Sequence, residues 1–258
     1  MIEGLYKSAW GALGSQIRQE AVANNMANVN TPGFRPDWVV MRSYRTRGEL
    51  QSAAARPDRQ ALWQVGGGGM VAETRTAHRA GPVQRTGVNT DLAILADEGF
   101  FAIERDGQRR YTRAGNFRVN PQGELVTADG GWKVIGDGGP LVVGDANFSV
   151  DRDGAVTRIA NGVPEVVGRV AVVGFEHPDR LLKAEGTAFS APEGVEPQSA
   201  RPEVRVQQGA LEMSGTNAAQ TLVNMIEAMR SYEANLNFVR IQDQLLGRAV
   251  TEIARLGG

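Results

Sequence analysis

Residues 222–256 read LVNMIEAMRSYEANLNFVRIQDQLLGRAVTEIARL, and the spacing of their apolar side chains governs how the rest of the chain is read. Leu222, Met225, Met229, Tyr232, Leu236 and Val239 step by alternating threes and fours. The pattern resumes at Leu246, Val250 and Ile253, with Asp243 as the single polar member. This is a heptad seam, the pattern of a helix laid against another helix. A flanking set (Ile226, Phe238, Ile241, Leu245, Ala249 and Leu256) widens the apolar face beyond what a solitary soluble helix tolerates. The helix needs a partner, and Gly257-Gly258 stand where such a helix stops. A core helix of a globular domain shows the same periodicity, so the partner must be identified from the rest of the chain.

The nearest candidate is the N-terminus. Ile2, Leu5, Tyr6, Ala9, Leu13 and Ile17 share one helical face. Gly4, Gly11 and Gly14 weaken that helix by about 1 kcal/mol each relative to alanine, and also permit close backbone approach. Such a helix gains its order by packing on a stronger one. Residues 1–34 are therefore predicted to pair with residues 215–258 as a coiled coil. Their apolar faces are fully covered only in an assembly, which predicts disordered terminal segments in the free chain. The N-terminal helix is expected to end within Asn24-Asn25-Met26-Ala27-Asn28-Val29-Asn30-Thr31-Pro32-Gly33-Phe34. There the asparagine amides compete with the helical backbone and Pro-Gly makes a turn.

Between the termini the pattern changes. Residues 35–82 carry Arg42, Arg45, Arg47, Arg56 and Arg59 among small and polar residues, then the joint Gly66-Gly67-Gly68-Gly69. This segment is expected to be an extended connector. Residues 83–204 hold short β-rich runs: DLAIL, FFAIE, RYTRAGNFRVN, GELVTA, WKVIG, PLVVG, NFSVD, GAVTRI and GRVAVVGF. Turn pairs fall between many of them, at Asp106-Gly107, Gln122-Gly123, Asp129-Gly130, Asp137-Gly138 and Asp153-Gly154. A mostly antiparallel β domain follows, with a return strand over 205–214. The predicted class is α+β: discontinuous terminal helices around a central antiparallel β domain.

Other classes are disfavoured. The chain has 28 basic and 29 acidic residues, a formal charge of -1, which gives no long-range pull toward nucleic acid or anionic membrane. There is no cysteine, so disulfides and thiolate metal sites are excluded. The first twenty residues lack the basic cluster and apolar run of a Sec-type signal, and no stretch approaches the ~18 apolar residues of a membrane span. Only His78 and His177 are present, which leaves a zinc site short of ligands. Asp151-Arg152-Asp153-Gly154 could begin a calcium loop, but Gly162 stands at the twelfth position where glutamate is needed; a hairpin turn is the better reading. The glycine run lacks the Lys-Ser/Thr of a phosphate loop, and no Ser/His/Asp order or Gly-x-Ser-x-Gly occurs. No catalytic residue, cofactor or metal is expected.

The ordered landmarks resemble the flagellar basal-body rod and hook proteins of the FlgF/FlgG type. They begin with Ala23-Asn24-Asn25-Met26-Ala27-Asn28-Val29-Asn30-Thr31-Pro32-Gly33-Phe34. The middle matches are Asp91-Leu92-Ala93-Ile94 with Gly99-Phe100-Phe101, Tyr111-Thr112-Arg113-Ala114-Gly115-Asn116-Phe117 and Gly123-Glu124-Leu125-Val126-Thr127. The last are Gln208-Gly209-Ala210-Leu211-Glu212, Asn224-Met225-Ile226 and Arg230-Ser231-Tyr232-Glu233-Ala234-Asn235. The chain departs from the family pattern at Met213-Ser214-Gly215-Thr216-Asn217, where Ser-Asn-Val-Asn is usual, and carries Arg35 where lysine is commoner. Ile135-Gly136-Asp137-Gly138-Gly139-Pro140-Leu141 and residues 242–250 look more like the proximal-rod member, the long connector more like the distal-rod one, and the balance leans slightly to the proximal.

The resemblance implies an axial subunit, exported by the flagellar type III apparatus without signal cleavage, that joins a helical tube and transmits torque. It implies partners that are copies of itself and other rod or hook subunits, and a place in the basal body. No nucleic acid and no membrane insertion are expected. The assembly interface is then expected at Ile2, Leu5, Leu13, Ile17, Asn24, Asn25, Asn28 and Phe34 on the N-terminal side. On the C-terminal side it is expected at Leu222, Met225, Met229, Tyr232, Leu236, Val239, Asp243, Leu246, Val250 and Ile253. Asp243 is the seam's candidate for setting register. The rival reading is a β-rich binding module or surface adhesin with a helical stalk.

Overall fold

The computed structural model describes residues 2–43, 69–160, 162–199 and 204–256. Within them the chain is α+β, with two long helices and a mostly antiparallel set of short strands. It divides into two compact units. One comprises Met1–Met26, Asp37–Arg75 and Ala218–Gly258; the other comprises Ala27–Pro36 and Thr76–Asn217.

The first unit holds helix α1, Ile2–Ala27, and helix α2, Ala218–Leu256. The α1 helix ends inside the asparagine-rich stretch because one amide redirects the backbone. Asn25 donates from Nδ2 to the Asp37 carbonyl (2.8 Å) and accepts from the Asp37 N–H at Oδ1 (2.9 Å). The described ends of the expected connector are extended and paired: Asp37–Ser43 and Gly69–Thr76 form a two-stranded sheet. Arg45, Arg47, Arg56, Arg59 and Gly66 to Gly68 lie outside the described residues.

Contacts between the helices run in antiparallel order. Gly11 faces Asn235, Ser15 meets Ser231 at 3.0 Å, and Arg18 reaches Glu227 at 3.5 Å. Both helices are formed in this single chain, with α1 lying against α2. The least exposed stripe of α2 is Thr221, Met225, Ala228, Tyr232, Asn235, Val239, Gln242, Leu246 and Ala249. Its steps alternate four and three, so the heptad spacing holds. One of its two positions, however, sits one residue earlier than predicted. Thr221, Ala228, Gln242 and Ala249 take the places foreseen for Leu222, Met229, Asp243 and Val250. Helix α1 shows the same substitution: Ala12, Gly14, Ser15, Val22 and Asn25 are buried while Leu13 is exposed. Small residues on both sides let two backbones approach, so at these alternate positions the smaller or more polar of two neighbouring side chains is the one turned inward.

The second unit is built on a large antiparallel sheet. Across it run Leu182–Lys183, Ala188–Ser190, Gln108–Thr112, Phe100–Arg105, Lys133–Gly136, Leu125–Thr127 and Phe117–Val119. Asp106 and Gly107 join two of these strands with φ of 53° and 75°, the left-handed pair of a two-residue hairpin turn. Both faces of the sheet are buried, which is why FFAIE reads as a continuous apolar run. Phe101 and Ile103 enter one core cluster with Leu92, Leu125, Trp132 and Val134; Phe100 and Ala102 enter another with Tyr111, Leu181 and Phe189.

The predicted return strand is two strands. Val206–Gln208 pairs with Leu92–Ile94, and Ala210–Glu212 pairs with Val83–Arg85. A separate three-stranded sheet joins Phe148–Val150, Ala155–Ala160 and Val163–Arg169. The last of these was not foreseen as a strand. It holds Pro164, which is tolerated because the strand is an edge.

Candidate assembly surface

In a chain for which no catalytic residue is expected, the candidate functional surface is the one that can meet other molecules. Many large apolar residues of α2 fall outside its inward stripe. Leu222, Val223, Ile226, Met229, Phe238, Ile241, Leu245 and Val250 are exposed, Phe238 by 57% and Val250 by 66%. On α1, Trp10 and Leu13 are exposed in the same way. Monomeric proteins scatter exposed apolar residues singly; a row at helical spacing marks an interaction face.

The residues predicted for the interface divide three ways. Leu13, Leu222, Met229 and Val250 are exposed, as an outward interface needs, and Asp243 is exposed beside them. Met225, Tyr232, Val239 and Leu246 are part-buried on the inward stripe, Leu236 flanks it, and Ile17 is also part-buried. Asn25 and Phe34 serve the fold itself: Asn25 caps the turn into the Asp37 strand, and Phe34 is buried with the Lys183 ammonium 4.4 Å from its ring centre. Asn28 accepts from the Thr31 hydroxyl in the turn after α1, and Asn24 is exposed. The side chains of Ile2, Leu5 and Ile253 lie outside the described residues.

The turn after α1 is fixed within the second unit by a buried charge cluster. Gly33, at φ 67°, donates its N–H to the Glu212 carbonyl at 2.8 Å; an added Cβ there would stand 2.2 Å from the Ala114 nitrogen. Next in the chain, Arg35 pairs with Glu212 Oε1 at 2.9 Å and donates to the Arg79 carbonyl. Arg113 Nε stands 2.8 Å from Glu212 Oε2, close enough for an ion pair but bent away from hydrogen-bond geometry. Its other nitrogens donate to the carbonyls of Ala96, Glu98 and Gly99. Gly81 N–H donates to Glu212 Oε1 at 2.9 Å. All three charged side chains are about 1% exposed or less.

Burial lowers both arginines, Arg35 to about 10, while the Glu212 charge opposes that shift. Around this cluster, Gly215 N–H donates to the Phe34 carbonyl and Ala77 N–H to the Pro36 carbonyl. Glu212 thus ties together the three segments 33–36, 77–81 and 212–215. Each lies within a few residues of a point where the chain passes from one unit to the other. The sequence offered one signal for it: a glutamate closing the apolar strand Ala210-Leu211-Glu212.

The remaining candidates are structural. His78 packs edge-on to Phe100 and against Phe189, with ring centroids 5.9 and 5.3 Å apart. Asp151 Oδ1 accepts the N–H groups of Asp153 and Ala155, the bonding of a turn. Among the described residues no group of three or more His, Cys, Asp or Glu is placed to hold a metal ion. A cavity of ≈ 200 Å³ lined by Thr112, Thr127, Asp129, Trp132 and Glu185 falls below the roughly 300–1,000 Å³ of ligand pockets. No described helix is long and apolar enough to cross a membrane.

Three family models match the chain. One described as "Flagella basal body rod protein" matches residues 14–35, one described as "Flagellar hook protein FlgE/F/G D1 domain" matches 94–158, and one described as "Flagellar basal body rod FlgEFG protein C-terminal" matches 207–252. The chain is 32% identical to the flagellar basal-body rod protein FlgG of Buchnera aphidicola subsp. Baizongia pistaciae, over 95% of this chain and 98% of that one. It is 31% identical to the FlgG of Bacillus subtilis, over 97% and 98%. It is 29% identical to the flagellar basal-body rod protein FlgF of Caulobacter vibrioides, over 92% and 91%.

Proposed function

This chain belongs to the flagellar basal-body rod protein family, and from that premise we propose how it assembles. It is a structural subunit of the basal-body rod, and its family is not one of enzymes. In the proposed arrangement α1 and α2 pair as a coiled coil inside each subunit. The apolar faces left outside that pair seat neighbouring subunits in an open helical array, which transmits torque through packed helices. The interface then comprises Leu13, Leu222, Met229 and Val250, joined by Ile226, Phe238 and Ile241. The observation that carries this is the row of exposed large apolar residues on α2. Burying them gives a neighbour about 25 cal/mol for each Å² of apolar surface covered. Copies of the chain and other rod and hook subunits are the proposed occupants, and the flagellar type III apparatus the proposed export route.

The test is assembly of the purified chain, followed by sedimentation and electron microscopy, beside the double variant Ile226→Asp/Phe238→Asp. The wild type is expected to form tubes or filaments and the variant to remain a helical monomer. A variant that assembles at wild-type concentration removes the outward face from the interface. In cells, the same variant is expected to be exported but to leave the flagellum unbuilt and the cells non-motile. Export that persists when flagellar secretion is blocked would exclude the proposed route.

A further inference from the structure

The inward stripe of α2 carries mostly small or apolar residues, and these are compatible with more than one alignment. A helix pair with heptad spacing can slide by seven residues and meet an equivalent stripe again. Thr221, Ala228, Asn235, Gln242 and Ala249 recur at that interval. One contact is not repeated. Ser15, 6% exposed, donates its hydroxyl to the Gly11 carbonyl at 2.9 Å and shares a 3.0 Å hydrogen bond with the Ser231 hydroxyl. Asn235 donates from Nδ2 to the Ser231 carbonyl at 2.8 Å and reaches Ser15 Oγ at 3.4 Å. With Ser231 as the donor of the shared bond, the one proton and two lone pairs of Ser15 are all engaged. Gly11 makes the room: an added Cβ would lie 2.7 Å from Asn235 Oδ1.

We propose that Gly11, Ser15, Ser231 and Asn235 form a polar register lock that admits one antiparallel alignment of α1 on α2. A slip of one heptad puts Ala228 or Gln242 where Asn235 stands. The first leaves the buried Ser15 hydroxyl short of a donor; the second drives a longer amide toward α1. Either penalises the slipped pair although its apolar contacts are kept. The lock fixes how far along α1 each residue of α2 stands, and so where the outward residues fall along the pair. The role that Asp243 held on sequence grounds thus passes to Asn235, since Asp243 is exposed. The importance of the lock to the rod rests on the assembly proposed above; its effect on register does not.

The chain has no cysteine, so engineered pairs report register without background. Arg18→Cys with Glu227→Cys marks the native alignment, since these side chains already meet at 3.5 Å. Arg18→Cys with Gln220→Cys, or with Ala234→Cys, marks a slip of one heptad in either direction. Bridging by a short bismaleimide is measured on the single chain, below assembling concentration. The native pair is expected to exceed either slipped pair by about tenfold or more, and Ser15→Ala/Asn235→Leu to reduce that preference to about threefold or less with helix content unchanged by circular dichroism.

A preference unchanged in that variant overturns the lock. If the variant loses helix content, Ser231→Ala and Ser231→Thr decide. Ser231 is on the exposed edge of the contact, so threonine is expected to keep the register and alanine to loosen it; equal behaviour of the two overturns the proposal. Sedimentation of the wild type separates the two ideas. A lock that fails while the wild type assembles leaves the outward interface standing, and a wild type that never assembles while the lock holds removes only the assembly reading.

Discussion

The helical unit and the β unit use hydrophobic side chains in opposite ways. In the β unit the large residues are inside: Phe101, Phe189, Leu92, Ile103 and Leu125 are almost wholly buried, and the charged residues that join them, Arg35, Arg113 and Glu212, are paired. In the helical unit Ala228 is fully buried, whereas Phe238, Ile241 and Val250 are exposed. A sheet covered on both faces spends its apolar surface on its own fold. The helix pair turns small and polar residues inward at alternate seam positions and leaves their larger neighbours exposed. A folded unit that holds back this much apolar surface is incomplete by itself, and that property distinguishes a polymerising subunit from a closed globule.

Substitutions should therefore act on different observables in the two units. The largest losses of single-chain stability are expected in the β unit. Phe101→Ala is expected to cost about 3–5 kcal/mol as a cavity in a close-packed core. Glu212→Gln should cost about as much, roughly 3–5 kcal/mol, because two buried guanidinium groups lose their counter-charge. Arg35→Met, which leaves Glu212 and Arg113 as a balanced pair, is expected to cost clearly less. Urea unfolding of the three variants checks the order, and a Glu212→Gln variant as stable as Arg35→Met would break the comparison.

An intermediate effect is expected on the inward stripe of α2. Ala228→Leu places a large side chain where the helices meet and should cost about 1–3 kcal/mol by overpacking, read as a lowered midpoint for loss of helical signal. A heptad seam in the predicted phase would instead tolerate that change. Smaller again is the expected effect of Phe238→Asp on the isolated chain, within about 0.5 kcal/mol, because the residue is already in water. Its effect should appear in the concentration required for assembly. A substantial fall in monomer stability would place Phe238 inside the fold.

The smallest effect concerns pH. Arg35 is held at about 10 by burial, below the ordinary range of a guanidinium. Folded and unfolded chains both keep its proton below about pH 9, so no pH dependence arises from it there. As pH rises beyond about 10, the unfolded chain binds the proton more firmly than the folded one, and stability linked to Arg35 increases. The stability difference between wild type and Arg35→Met is thus expected to stay flat between about pH 6 and pH 9 and to move in favour of the wild type above about pH 10. A slope in the neutral range would show that another titrating group controls the cluster.

Much of this was legible from the residues, at a level set by periodicity. The period of α2, the break of α1 among asparagines and the Asp106-Gly107 hairpin all follow from local chemistry, and the structure has each where it was expected. Phase was less accessible. Leu222 and Thr221 are neighbours, and hydrophobicity favours the former; the helix pair uses the latter because a small side chain permits closer approach. Glu212 was visible only as a glutamate at the end of an apolar strand. Its partners Arg35 and Arg113 are 177 and 99 positions away in the sequence, and no local pattern links them.

The sequence by itself determined an α+β chain with helical ends and a strand-and-turn middle. Those properties depend on spacing, turn chemistry and composition, which act over a few residues at a time. Only the tertiary structure decided which of two adjacent stripes on each helix turns inward, and therefore which residues are left to bind. That choice depends on the steric fit between α1 and α2, where Gly11 yields to Asn235 and Ser15 closes on Ser231. A hydrophobic pattern marks the faces that can be buried, but the close contact between two helices selects the face that is.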